Sequence, residues 1–421
     1  MSDVAGWDWQ VEKKCVADLA KIKSQFKRVD EFTVSHDGEK IAAPVQADDD
    51  AFTVCLNGET WSERFELLWH LRFSPSDRLF ALVRIDDEWT VVRDDVPWED
   101  RYEYVWHPKF CSDGDGVAVL CKNDDGYSVS INGKAWDEGY VSIRDFCLSP
   151  DGTKAAATVQ TVRLKEADTF GFFEGVWSVA VDGTLWDKKY INAWNPVFSD
   201  DGLSVAAEIR TDICEYSVAV EASEWSSKYG CVWAPVFRPA TQNVIIPVRE
   251  GGMWTLVENG KRFWKRQYNM LWGQKFSPDG KRVAAVVSPS FGRWTIAVDD
   301  TPWGSTFGDM VQEPIFSPDS KRVAAIVKND NQWTIAVDGN AWSETFDMIW
   351  DPVFCLDGRH VVAKAERAGR YFIVDNGKVL GKGYEALWEP IYNSDGTKML
   401  LRYVEDGNYY RQVVPTGEML G

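Results

Sequence analysis

The feature that most constrains this chain is that it copies itself. FSPDGKRVAAVV at 276–287 returns as FSPDSKRVAAIV at 316–327, and WTIAVDD at 294–300 returns as WTIAVDG at 333–339. One motif position can be followed through Ser35, Ser74, Cys111, Ser149, Ser199, Arg238, Ser277, Ser317, Cys355 and Asn393, at separations of 39, 37, 38, 50, 39, 39, 40, 38 and 38. Ten units follow, so a length of 421 residues does not argue for two or three unrelated domains.

Each unit reads as four short strands. The first carries the Phe-Ser motif and ends in a Pro-Asp-Gly turn, whose glycine supplies the positive φ of a tight connection. The second, for example Arg282 to Val287, is apolar at consecutive positions and must be covered on both faces. The third alternates Trp294, Ile296 and Val298 against Thr295, Ala297 and Asp299, and closes on an Asp-Asp, Asp-Gly or Asn-Gly turn. The fourth is read as a strand carrying Trp342, Phe346 and Trp350 at four-residue spacing.

Units this small, covered on both faces, have no private core and must stack. The predicted fold is all-β: a β-propeller of about ten short four-stranded repeats, in one ring or in two smaller ones. Residues 8–25 place Val11, Cys15, Leu19 and Ile22 at helical spacing, which predicts a short helix in an N-terminal extension 1–21. The propeller is expected over 22–421. Its last unit runs out of sequence before a fourth strand, and 22–34 is expected to complete it, because Ile22, Phe26, Asp30 and Val34 align with Trp342, Phe346, Trp350 and Phe354.

The 22 tryptophans follow the repeat. Trp61, Trp98, Trp136, Trp186, Trp225, Trp264, Trp303 and Trp342 share one position; Trp69, Trp106, Trp194, Trp233, Trp272, Trp350 and Trp388 share the position eight residues on; Trp89, Trp177, Trp254, Trp294 and Trp333 open the third strand. A ring required once per unit fills the wedge between blades, in preference to a redox wire or a ligand cage.

Chemistry is sparse. His36, His70, His107 and His360 lie in or near turns without metal-ligand spacing, and the eight cysteines form no C-x-x-C pair, so no metal and no cofactor are expected. Ser35, His36 and Asp37 are adjacent where a catalytic triad needs convergence. Asp-rich turns at Asp48, Asp49, Asp50 and at Asp200, Asp201 read as solvated hairpins. A formal charge of −19 disfavours nucleic acid, and with no long apolar run and no leader-like start the expected location is the cytoplasm, without direct membrane insertion. The departures from the repeat are more informative. The fourth unit is about twelve residues too long, and the excess at 161–175 brings Phe170, Phe172 and Phe173, the composition of a docking tip or of a loop folded back onto its own blade. Arg144 stands where a tryptophan is expected eight residues after Trp136, and this edge is read as a partner contact.

The F-S-P-D-G turn and its flanking strands resemble the TolB-type, WD40-like propeller repeat. Together with W-T-I-A-V-D-G units, acidity and tryptophan richness, they are similar to the tryptophan-rich cytoplasmic subunits of Tmc transmembrane electron-transfer complexes of sulfate-reducing bacteria. That resemblance implies a non-catalytic scaffold or docking subunit without a redox centre of its own, partnered by iron–sulfur and membrane cytochrome subunits and peripheral at the inner membrane face. The competing expectation is a stand-alone propeller with a small ligand in its channel, or an unrecognised enzyme. The packing role of the indoles predicts that Trp333→Ala costs roughly 3–5 kcal/mol, read as a lowered unfolding midpoint.

Overall fold

In the computed structural model, which describes residues 4–48, 51–111 and 114–416, each sequence unit forms one antiparallel sheet. The fold is an all-β propeller of ten four-stranded blades. Blade 1 runs from Thr33 to Thr60 and blade 10 is built on Ala386 to Pro415; strands pair in chain order within blades 1 to 9, whereas the fourth strand of blade 10 comes from a segment that precedes blade 1. Helix α1 spans Leu19–Gln25 and helix α2 spans Thr169–Glu174. Neither helix is long and apolar enough to cross a membrane. Asp49 and Asp50 lie outside the described residues.

The described chain divides into two compact units. One comprises Arg84–Arg93 and Pro97–Gln274, and the other the described residues of Ser2–Val83, Asp94–Val96 and Lys275–Gly421. Blades 3 to 6 belong wholly to the first, and blades 8, 9, 10 and 1 to the second.

Packing explains why the second strand is apolar throughout. In blade 9, Val361, Ala363 and Ala365 pack with Ile326 and Ile335 of blade 8, whereas Val362 packs with Leu387, Met399 and Leu401 of blade 10. Successive residues of one strand thus feed two different cores, as the two-residue period of a strand requires.

Two side-chain devices fix each blade. In the turn after the third strand, Asp338 and Gly339 both have positive φ, 51° and 84°, the type I′ geometry that suits a two-residue hairpin. The Asp338 carboxylate accepts the Val323 N–H at 2.9 Å, tying this turn to the second strand. Blades 1 to 9 repeat that bond, at 2.6 to 3.2 Å, through Asn57, Asp94, Asn132, Asp182, Glu221, Asn259, Asp299, Asp338 and Asn376. In the Phe-Ser turn, Ser317 donates its hydroxyl to Asp319 at 2.6 Å and accepts the Arg322 N–H at 2.9 Å.

Two expectations need correcting. The segment from Trp342 to Trp350 is not one strand: Phe346 bridges back to Trp333 on the outer edge of blade 8, while Met348–Ile349 already belongs to the first strand of blade 9. The chain must cross from outer to inner strand within this stretch, so the three aromatic residues serve two blades. Nor does 22–34 complete blade 10. That edge is taken by Lys13–Asp18, antiparallel to Asn408–Pro415, whereas residues 19–25 are helical and Thr33–Val34 opens blade 1. The helical spacing of Val11 and Cys15 yields to the backbone hydrogen bonds offered by an open sheet edge, a tertiary override of local pattern. Only Leu19 and Ile22 keep it, buried on α1 behind the Asp18 cap.

Blade 10 is clamped to blade 1 by two buried arginines. Arg411 donates Nε to the Asp37 carbonyl at 2.8 Å and lies 3.1 Å from Glu39, and its Nη2 reaches the Asp8 carbonyl. Arg402 donates Nη1 to the Ser35 carbonyl at 2.8 Å. Arg411 is 1% exposed, so its loss strands carbonyls in a dry site. Arg411→Ala is expected to cost roughly 3–5 kcal/mol and to free the N-terminal strand for cleavage at Lys13 or Lys14 before the blades are attacked, measured by denaturation and limited proteolysis.

Candidate functional site

The first tryptophan column lies at the ends of the outer strands, against the hairpin turn of the next blade. A methyl group on Gly133 would come within 3.3 Å of Trp98, on Gly183 within 3.2 Å of Trp136, on Gly339 within 3.2 Å of Trp303 and on Gly377 within 3.0 Å of Trp342. Trp225 sits in the same relation to Gly260, at 3.9 Å. These positions therefore want glycine twice over, for the left-handed turn and for the neighbouring ring. Trp61 and Trp264 are buried; Trp98, Trp136, Trp186, Trp225, Trp303 and Trp342 are half-buried.

The second column pairs instead with its own blade's third strand. Trp233 stacks on Trp254 with centroids 5.4 Å apart and planes 9° from parallel, Trp194 stacks on Tyr216 at 6.3 Å, and Trp106 meets Tyr127 edge-on at 5.9 Å. Arg144 occupies this column in blade 4. Its guanidinium lies 3.8 Å from the Trp177 ring centre and 5.8 Å from that of Trp194, so a cation replaces an indole in the same stack, and its Nη1 donates to Asn192 at 3.3 Å.

The blade 4 extension is an ordered element. Asp168 caps α2 by accepting the Gly171 N–H at 2.9 Å. The three phenylalanines are placed differently. Phe172 packs into the core of blades 4 and 5 with Val162, Leu164 and Trp186, while Phe170 is 86% exposed and Phe173 45%. Ile213, at the corresponding hairpin of blade 5, is also exposed. The structure does not bring Arg144 into contact with these rings; the link between them is Trp177, which shares a core with Phe172.

A feature missed in the sequence lies behind the first strands. These strands shift register just after the column-two residue, between Trp106 and Lys109, Ile143 and Phe146, and Trp194 and Val197. His70, His107 and Asn195 take the left-handed conformation there, with φ of 53°, 57° and 45°. Asn195 donates Nδ2 to Glu208 at 2.7 Å. Glu208 is 6% exposed; burial lifts its carboxyl to about 7, and the charge of Asp145 pushes the same way against the Asn195 bond. The signal was legible: VAAEIR at 205–210 puts Glu208 where VAAVV and VAAIV have Val286 and Ile326, and the same position holds Lys364 in blade 9 and Arg402 in blade 10. Each is a charged residue in an otherwise mainly apolar column. Lys364 lies over Trp350 at 4.2 Å, and burial lowers its pKa.

The histidines are not gathered. His36 contacts Asp77 at 3.1 Å and His360 contacts Asp375 at 2.8 Å, in different blades, and Ser35 bonds to Asp37. Cys111 and Cys355 take the place of the motif serine, with Sγ 3.4 and 3.2 Å from the carbonyls of Gly152 and Gly396. Among the described residues no group of three His, Cys, Asp or Glu is placed to hold a metal ion.

No family model matches the chain, and no curated protein matches it. Among solved structures it is similar to one described as the eukaryotic initiation factor, at 12% identity and TM-score 0.48, covering 82% of this chain and 95% of that one. It is also similar to the Dos1 propeller, at 11% identity and TM-score 0.35 over 98% and 96% of the two chains. A third is TolB from Acinetobacter baumannii, at 15% identity and TM-score 0.31, covering 60% of this chain and 58% of that one. The propeller assignment rests on the ten sheets themselves.

Glu208 gives a measurable pH dependence. Its folded pKa of about 7 lies above the ordinary carboxylate range, so the folded state holds the proton more tightly than the unfolded chain. The resulting destabilisation is absent below the unfolded value and grows as pH rises towards and through 7. Glu208→Gln keeps an acceptor for Asn195 and is expected to stabilise the protein by roughly 2–3 kcal/mol at pH 8 and to have little effect at pH 4.5, read from unfolding curves at both values.

Proposed function

We propose that this chain is a non-catalytic docking subunit, a rigid platform that presents the blade 4 extension to a protein partner. The observation that carries this reading is the division of labour on α2. Phe172 anchors the helix in the core of blades 4 and 5, and Asp168 caps it, while Phe170 and Phe173 stand in solvent. Ordering two exposed aromatic rings ahead of binding reduces the entropy lost on contact, and aromatic anchors carry much of the energy of protein interfaces. A propeller built from indole-filled wedges supplies the stiffness such a platform needs.

Its setting follows the resemblance to Tmc complexes. The partner is the iron–sulfur subunit of a membrane-associated electron-transfer complex, with a membrane cytochrome in the same assembly, and this chain lies on the cytoplasmic side without a redox centre. The repeat-wide placement of the tryptophans supports packing as their role, because two of the three columns are engaged with a neighbouring turn or a third-strand ring.

Affinity purification from native membranes tests both levels. The double variant Phe170→Ser, Phe173→Ser is expected to fold with an unchanged melting curve and to retain at most about a tenth of the co-purifying partner. Undiminished recovery sinks the docking surface. Recovery of a partner free of haem and iron–sulfur clusters sinks the electron-transfer setting alone.

A further inference from the structure

At one level of each blade a residue of the second strand stands directly opposite a residue of the third. The pair is aliphatic in blades 3, 7 and 8: Leu120 with Val129, Val286 with Ile296 and Ile326 with Ile335. Blade 9 places one cation there, Lys364 opposite Ile373, and blade 5 one carboxyl, Glu208 opposite Val218. Blade 10 sets like against like, because Arg402 is the cross-strand partner of Arg411. Residues so opposed share a face with Cβ atoms about 4.5–5.5 Å apart, and equal charges at that range repel. Both are dry, Arg402 at 5% exposure and Arg411 at 1%. Their stems meet over one residue: a methyl group on Gly38 would come within 3.0 Å of Arg411 Cγ and 3.2 Å of Arg402 Cγ.

Backbone carbonyls meet part of the demand but bring no full charge. Arg402 directs Nη1 to Ser35 and Nη2 to Glu389, each at 2.8 Å, and Arg411 directs Nε to Asp37 and Nη2 to Asp8. One donor remains on each, Arg402 Nε and Arg411 Nη1, and both are buried without a hydrogen-bond partner in the chain. An unsatisfied donor on a buried ion is costly. The carboxylates around the pair are engaged elsewhere. Glu39 lies 3.1 Å from Arg411 but is shared with Lys14. Asp37 accepts the Ser35 hydroxyl and the Glu39 N–H, and Asp77 accepts the N–H groups of His36 and Asp37. Among the described residues no carboxylate forms an ion pair with Arg402. Burial holds its guanidinium below the usual pKa in spite of the negative charges of Glu389, Asp77 and Asp37. All of these residues belong to one compact unit.

We propose that the opposed arginines form an anion site, in which one monovalent inorganic anion of the halide class, with chloride as its type, accepts from Arg402 Nε and Arg411 Nη1 in the seam between blades 10 and 1. The anion supplies the charge that the carbonyls of Ser35, Asp37 and Glu389 lack and relieves the repulsion between two cations on one sheet face. It thereby fastens the seam that the N-terminal strand closes. The site owes nothing to α2, and its test does not involve that helix.

Thermal unfolding of the full chain at constant ionic strength, with sodium gluconate exchanged stepwise for sodium chloride, tests the site. The melting temperature is expected to rise saturably, by about 3 °C at a hundredfold excess over the dissociation constant, because an anion that binds only the folded state stabilises it. Arg402→Met keeps an unbranched stem, removes the opposed charge and is expected to abolish that rise. Should this variant fail to fold, crystals of the unaltered chain grown in sodium bromide decide the matter: an anomalous peak shared by Arg402 Nε and Arg411 Nη1 is expected. A melting temperature indifferent to chloride, a rise kept in full by Arg402→Met, or bromide peaks only elsewhere overturns the site.

Discussion

The structure depends on strands that have no outside. Because alternate residues of each second strand feed different neighbours, as Ala363 and Val362 do in blade 9, no blade can bury its apolar surface alone. Every other regularity serves that arrangement. The Asx side chain after the third strand holds the hairpin in register, the Ser–Asp pair shapes the opposite turn, and the indole of one blade seats on the glycine of the next. Geometry and sequence are coupled at that last contact, since the turn that needs a positive φ also needs room for a ring.

At one position of the second strand, charge replaces the aliphatic residue of the repeat. Glu208, Lys364 and Arg402 replace aliphatic residues at one repeat position, and each is held by a different compensation: an amide from a left-handed bulge, two aromatic faces, or two backbone carbonyls. Burying a charge is costly unless it is paired or hydrogen-bonded. That cost is met at the same repeat position in blades 5, 9 and 10.

Much of this was legible in the residues. A repeat spacing near 39, a doubly apolar strand and Asn-Gly turns specify ten four-stranded sheets almost without ambiguity. The errors were local. Even spacing of Trp342, Phe346 and Trp350 looks the same whether one strand carries them or the chain changes blade between them, because periodicity records side-chain direction and not strand partner. Val11 and Cys15 suggested a helix, but an unpaired edge on Asn408–Pro415 outweighs a weak helical stripe. For the site, the sequence located the aromatic extension but could not assign its rings individually: only the fold shows that Phe172 turns inward while Phe170 does not. The buried charges were visible as odd letters in aligned repeats, and went unread because each is ordinary by itself.

The pairing of Lys13–Asp18 with Asn408–Pro415 has a temporal side. Lys13–Asp18 precedes blade 1 in the sequence yet pairs in blade 10, so every blade between must be synthesised before its hydrogen-bonding edge finds a mate. Bridging Lys13 to Glu405, 392 positions apart, carries a loop-closure cost of about 5 kcal/mol if nothing between them is ordered. Blades stacking one after another during translation shrink that gap, which makes assembly in chain order the cheap route and leaves α1 and its strand as the final piece to dock.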